Sequence, residues 1–256
     1  MTTETRGLVR IEPAAKRVRA VLEGMAVFDT KRPTLVWEGP HFPVYYVPAE
    51  DVAADVLVPS DHMERSPSRG EARFWSVRVG DRLAENAARQ YPDSRFEALR
   101  DLIRFEWGAM DAWFEEDEEV FTHARDPHHR VDILRSSRHV EVILNGVTVA
   151  DSQSPTLLFE TGLPTRYYLP LTDVRTELLR SSRSSTSCPY KGTASYWSLD
   201  VHGERFEDVV WTYPSPLPES IRITGLACFY DERVDIRVDG VLQERPSSPF
   251  SRPAAA

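Results

Sequence analysis

The sequence predicts a mainly β (α+β) protein built from two duplicated small antiparallel β domains, each with one short helix. Two observations lead there. The chain returns on itself at a constant shift of 122 positions, and within each copy the apolar residues fall in short β-rich runs bounded by Pro, Gly and Asn.

The duplication is read directly. Val9/Val131, Ile11/Ile133, Val18/Val140, Gly24/Gly146, Asp29/Asp151, Leu35/Leu157 and Glu38/Glu160 coincide, followed without a gap by Tyr45-Tyr46 on Tyr167-Tyr168 and Pro67 on Pro189. Gly70 then falls on Gly192, Trp75-Ser76 on Trp197-Ser198, and Tyr91-Pro92 on Tyr213-Pro214. Chance matches do not keep one register for more than 80 residues. Beyond Pro92 the register drifts by two, so that Phe105 meets Phe229 and Asp111 meets Asp235. Solenoid repeats are far shorter, so this period is a duplicated domain. The expected organisation is a first repeat over 9–121, a linker over 122–130, a second repeat over 131–245 and a disordered tail over 246–256.

Within the second copy, residues 140–150 are two β-rich runs around Asn145-Gly146, the strongest short hairpin signal; Glu23-Gly24 is the equivalent turn of the first copy. Residues 156–160 and 167–169 read as short strands between breakers. Thr172-Asp173 ahead of Val174, Leu178 and Leu179 is an N-cap signal, which predicts the one short helix over 171–179, with 49–57 as its counterpart. Residues 196–201 alternate as a half-buried strand, 206–212 follow as another, and 223–230 and 234–238 close the copy. The acidic run 115–119 reads as a solvated segment without the ligand spacing of a calcium loop.

Composition narrows the function classes. A net charge of −9 with no concentrated basic face argues against nucleic-acid binding. No apolar run reaches the roughly 18 to 20 residues of a membrane span, so no membrane partner is expected. The two cysteines, Cys188 and Cys228, make no disulfide framework, and no secretory h-region is present, so a cytoplasmic, reduced protein is expected. Neither a metal nor a cofactor is called for, and oligomeric state is left open.

The densest chemistry lies at 188–197, which joins Cys188, Tyr190, Lys191, Thr193, Tyr196 and Trp197. The first copy keeps Pro67, Gly70, Ala72, Trp75 and Ser76 from this stretch but has Ser66, Ser68, Arg69 and Glu71 at the four reactive positions. One copy is therefore chemically equipped, and the other is altered or structural. Lys191 and Arg166 are cations able to grip a carboxylate or phosphate, or else solvated charges. Tyr167, Tyr190 and Trp197 line an aromatic pocket or fill a core. Glu160, mirrored by Glu38, is a structural acceptor or a general base. Cys188 is the candidate nucleophile or redox centre, with Lys191 lowering its pKa, or else a buried apolar side chain. Cys228, inside 226–229, reads as core. The linker histidines His123, His128 and His129 read as polar residues orienting the halves rather than as metal ligands.

At 188–197, together with 162–170 and 125–132, the chain resembles the tandem form of the bacterial domain of unknown function 427 family, over about 9–244. The resemblance implies a β-tent domain, similar in outline to methionine-R-sulfoxide reductases. Relatives of that kind hold a structural zinc through paired Cys-x-x-Cys motifs, which this chain lacks. The family also carries a nucleotidyltransferase-like label, but this chain has neither a Gly-Ser element followed by an Asp-x-Asp pair nor a phosphate-cradling glycine loop. The leading expectation is a small anionic or aromatic ligand in a pocket of the second repeat. A Cys188-dependent enzyme and a protein-interaction module are the alternatives.

Overall fold

A computed structural model describes residues 9–251. The chain forms two compact units that divide between Asp126 and Pro127, inside the expected linker.

The first unit contains β1 (Arg10–Pro13), β2 (Val18–Leu22), β3 (Met25–Thr30), β4 (Thr34–Trp37), β5 (Val44–Pro48), β6 (Leu57–Ser66), β7 (Gly70–Val79), β8 (Arg82–Gln90), β9 (Leu102–Phe105), β10 (Ala112–Glu115) and β11 (Glu118–Glu119). The second contains β12 (Val131–Arg135), β13 (Val140–Leu144), β14 (Val147–Ser152), β15 (Thr156–Glu160), β16 (Arg166–Leu169), β17 (Leu179–Cys188), β18 (Gly192–Val201), β19 (Glu204–Thr212), β20 (Ala227–Phe229), β21 (Asp235–Val238) and β22 (Val241–Leu242). Each unit has a seven-stranded and a four-stranded antiparallel sheet. Their orders are β1-β4-β5-β9-β8-β7-β6 with β11-β10-β2-β3, and β12-β15-β16-β20-β19-β18-β17 with β14-β13-β21-β22. The two topologies superpose strand for strand, as a duplication requires.

Alternation builds each core. Val140, Val142 and Leu144 of β13 are buried while Glu141 and Ile143 are half-buried, and β2 repeats the pattern. In the second unit these residues meet Leu169, Leu199, Val201, Val210, Phe229 and Ile236 between the two sheets. Each such side chain contributes roughly 1.5–3 kcal/mol by leaving water. The opposite face of the seven-stranded sheet, called outer here, carries a second cluster of Leu158, Tyr168, Tyr196, Trp211, Tyr213 and Cys228. Cys228 is thus core, as its apolar run indicates. The hairpin at Asn145-Gly146 forms with φ of 49° and 77°, and Glu23-Gly24 matches it at 49° and 74°.

Four local expectations need correction. Residues 171–179 form two short 3₁₀ turns, Leu171–Asp173 and Thr176–Leu178, in place of one helix, and the first unit has Ala49–Asp51. The capping residue is diverted: Asp173 accepts from Ser152 Oγ at 2.6 Å, and Val174 bridges to Ala150. Thr30 and Asp51 repeat that bond at 2.6 Å in the first unit. Leu179 then opens β17, a serine-rich strand whose polar, exposed sequence carries no apolar alternation. Residues 223–230 are strand only over Ala227–Phe229, because Ile223 ends the 3₁₀ turn Pro218–Ile223. The acidic run is not wholly solvated, since Glu115 is buried and accepts from Tyr45 Oη at 2.8 Å, from Lys16 Nζ and from the Arg125 amide. Of the tail expected to be disordered, 252–256 lie outside the described residues. Within 246–251, Ser248 Oγ donates to Glu232 and the Phe250 ring lies 5.7 Å from Arg166.

Candidate functional site

The stretch singled out by the sequence is the turn that joins β17 to β18. Cys188 pairs with Gly192 across the turn. Gly192 has φ of 93°, and a Cβ there would stand 3.4 Å from the Ser215 carbonyl oxygen and the Leu217 amide nitrogen. The Leu217 amide donates to the Lys191 carbonyl at 3.1 Å, and Ser220 Oγ donates to the Tyr190 carbonyl at 3.1 Å. Ser198 accepts the Asp208 amide at 3.2 Å, where Asp208 has φ of 51° at an irregularity between β18 and β19. Ser76 and Asn86 repeat this bond at 3.2 Å in the first unit. The shared glycine and serine are therefore architectural.

The turn delivers Lys191 to the outer face, where its Nζ contacts both oxygens of Glu160 at 2.5 Å. Glu160 ends β15 opposite Val131, which places the preceding His129 beside it, with Nε2 donating to Oε1 at 3.0 Å. The His129 ring stacks on Tyr190 with centroids 4.2 Å apart. Side-chain exposures are 5% for Glu160, 10% for Lys191 and 15% for His129, so this charged cluster is largely desolvated. Burial pushes the Glu160 carboxyl up, but His129 and Lys191 together hold it below the usual carboxylate range. His129 is the site residue that sequence reasoning set aside as a linker residue. Only the β12–β15 pairing reveals it.

Cys188 is half-buried on the same face. Thr186, two residues earlier, shares a hydrogen bond of 2.8 Å with Tyr196 Oη, which lies 3.4 Å from Tyr230 Oη. Trp211 Nε1 donates to Tyr168 Oη at 3.2 Å. Burial raises the Tyr168, Tyr213 and Tyr230 phenols, so all three stay protonated donors.

Arg166 also lies on this face but is committed within the protein. It makes a two-pronged pair with Glu232 at 2.9 and 2.7 Å, stands 3.3 Å from Asp231, and is flanked by Trp211, Tyr230 and Phe250 at 5.6, 6.0 and 5.7 Å. Three expected partners point elsewhere. Tyr167 and Trp197 pack against the inner core, since alternation along β16 and β18 turns them away from Arg166 and Tyr196. Thr193 is exposed and contacts Ser187 at 3.3 Å. A cleft of about 190 Å³ opens at Tyr167, lined also by Thr165, Asp231, Gln243 and Arg245. Burial pushes the Asp231 carboxyl up to about 6, against the opposing pull of Arg166.

Among the described residues, no group of three or more His, Cys, Asp or Glu is arranged to hold a metal ion, and no helix is long and apolar enough to cross a membrane. The architecture defines a tandem antiparallel β protein with a buried Lys-Glu-His cluster on an aromatic sheet face. A family model described as a domain of unknown function (DUF427) matches residues 10–116 and again 132–240, and the chain belongs to that family as a tandem-repeat member. A search of curated proteins finds no match.

Proposed function

We propose that this is a cytoplasmic binding protein whose second repeat takes a small anionic or aromatic molecule on its outer face, at Lys191, His129, Glu160 and Tyr190. The supporting observation is the desolvated Lys191–Glu160–His129 cluster set among tyrosines. A buried ion pair adds little stability over an apolar pair of equal volume, so its presence favours recognition over folding. In this reading Glu160 orients the ammonium and imidazole, their remaining N–H groups meet the ligand, and Tyr190 stacks on it. Arg166, Tyr167, Thr193 and Trp197 support the surrounding strands. In this reading each repeat is a β-tent domain.

A thermal-shift screen of anionic and aromatic metabolites tests it. Stabilisation by at least one compound, lost in Tyr190→Ala, is expected. Stabilisation by none, in the intact protein, would turn the reading to a protein-interaction surface.

A second reading, a Cys188-dependent enzyme, rests on the half-buried thiol facing the same patch. Thiol labelling against pH separates the two, because a reactive Cys188 labels at neutral pH whereas an ordinary thiol labels only near its own pKa of about 8.5. Cys228, fully buried and with its thiol pushed up, stays unlabelled until the protein unfolds.

A further inference from the structure

The first unit presents a different set of charges at the matching place. Arg69 stands where the second unit has Lys191, Arg89 where it has Trp211 and, after the two-residue drift, Arg104 where it has Cys228. All three converge on Glu38, the counterpart of Glu160: Arg69 Nε lies at 3.7 Å, Arg89 Nη2 at 3.8 Å and Arg104 Nη1 at 3.2 Å. Arg89 and Arg104 are direct cross-strand partners on β8 and β9, an arrangement of like charges that is unfavourable without an anion between them. Aromatic rings set the guanidinium positions, Tyr91 beneath Arg69 at 5.1 Å and Phe74 beneath Arg89 at 5.9 Å.

The counter-charge at this face is smaller than the charge it meets. Glu38 also accepts from Tyr46 Oη, at 2.5 Å. Glu106, which replaces Tyr230, approaches Arg89 at 3.0 Å and Arg104 at 3.2 Å. The remaining carboxylate, Glu64, is 55% exposed and lies 3.9 Å from Arg89, so water screens it. Among the described residues, two close carboxylates thus face three guanidiniums. Four of their nitrogens, Arg69 Nε, Arg89 Nε, and Arg104 Nε and Nη1, are buried and make no well-directed hydrogen bond to any described residue, although Arg104 Nη1 lies 3.2 Å from Glu38. Buried donors of this kind are normally satisfied, and a fold-stabilising role for Glu38 needs only one cation. The side chains keep 11%, 16% and 12% of their surface open, so none of the three is sealed from solvent.

We infer that Arg69, Arg89 and Arg104 form an anion-binding site in the first repeat, taking the oxyanion group, carboxylate or phosphate, of a small molecule. The guanidinium forks supply planar paired donors, which suit such groups better than the single ammonium of Lys191. The repeats have accordingly diverged: the second repeat keeps an aromatic face with one lysine, and the first exchanges an indole and a thiol for two guanidiniums. This site is independent of the one proposed in the second repeat.

The test is calorimetric titration of the full chain with inorganic phosphate and with malonate, at ionic strength held constant with chloride. Saturable binding of phosphate, malonate or both is expected, and the preferred probe identifies the oxyanion. Affinity should fall about tenfold or more in Arg89→Gln and in Arg69→Lys, which keeps the charge but loses the fork. The second variant also serves if the first fails to fold. Arg175→Gln, which removes an exposed cation of the second unit outside both sites, should leave this binding unchanged. Absence of binding by both probes, undiminished affinity in both arginine variants, or an equal loss in Arg175→Gln would overturn the inference.

Discussion

Replacing Asp231 by asparagine should stabilise the second unit, and only above acidic pH. The Asp231 side chain is 10% exposed, and its neighbour Arg166 is already committed to Glu232 through two hydrogen bonds of 2.9 and 2.7 Å. Burial therefore outweighs the ion pair and lifts the carboxyl to about 6, from an ordinary value of 3.8. The native state then binds this proton more tightly than the unfolded chain does. The favourable contribution is fully present below pH 3.8 and is lost as pH rises through about 6. A difference of about two pKa units corresponds to about 3 kcal/mol lost by pH 7. An amide of the same shape avoids the charge and should recover about 1–3 kcal/mol. Urea unfolding followed by tryptophan fluorescence, at intervals from pH 4 to 8, measures this. The variant-minus-parent stability should be near zero at pH 4, climb between pH 4 and 6, and level off above. A flat difference, or a variant less stable at pH 7, would refute the claim that desolvation dominates at Asp231.

Two further substitutions probe the second unit. Glu160→Gln strands the buried Lys191 ammonium and should destabilise by about 3–5 kcal/mol at pH 7. Because the Glu160 carboxyl is held below its ordinary value of 4.5, the parent's advantage should vanish as pH falls below that value; an advantage independent of pH in acid would contradict the assignment. Gly192→Ala forces a side chain into φ of 93° with backbone atoms 3.4 Å away. It should lower stability by about 1–3 kcal/mol in thermal unfolding, and an unchanged midpoint would show that the turn can relax.

Most of the architecture was legible in residue order because it rests on local rules. Alternation marks β13, the Asn145-Gly146 pair marks its turn, and the constant register from Val9 to Pro92 marks the duplication. Where a segment's own preference competed with tertiary partners, the partners prevailed. Asp173 would cap a helix, but Ser152 takes its carboxylate; the 180–188 stretch is too polar to read as a strand, yet it pairs along β18 as an edge. The site was half legible. Copy comparison isolated Cys188, Tyr190, Lys191 and Thr193, and Glu160 stood out by its persistence at Glu38.

It also pointed to the second copy alone and so passed over Arg89 and Arg104, since a residue that differs between copies reads as divergence until its neighbours are known. By itself the sequence determined the duplication, the β character, the turn glycines and the identity of the reactive side chains, all of which depend on neighbours a few residues away or on a single constant shift. Only the tertiary structure decided which of those side chains meet. Strand pairing sets the face on which each one lies, and a shift of one residue along β16 or β18 separates Arg166 from Tyr167 and Tyr196 from Trp197. Pairing of β12 with β15 likewise brings His129 to Glu160 across a separation of 31 residues, a proximity that no local pattern encodes.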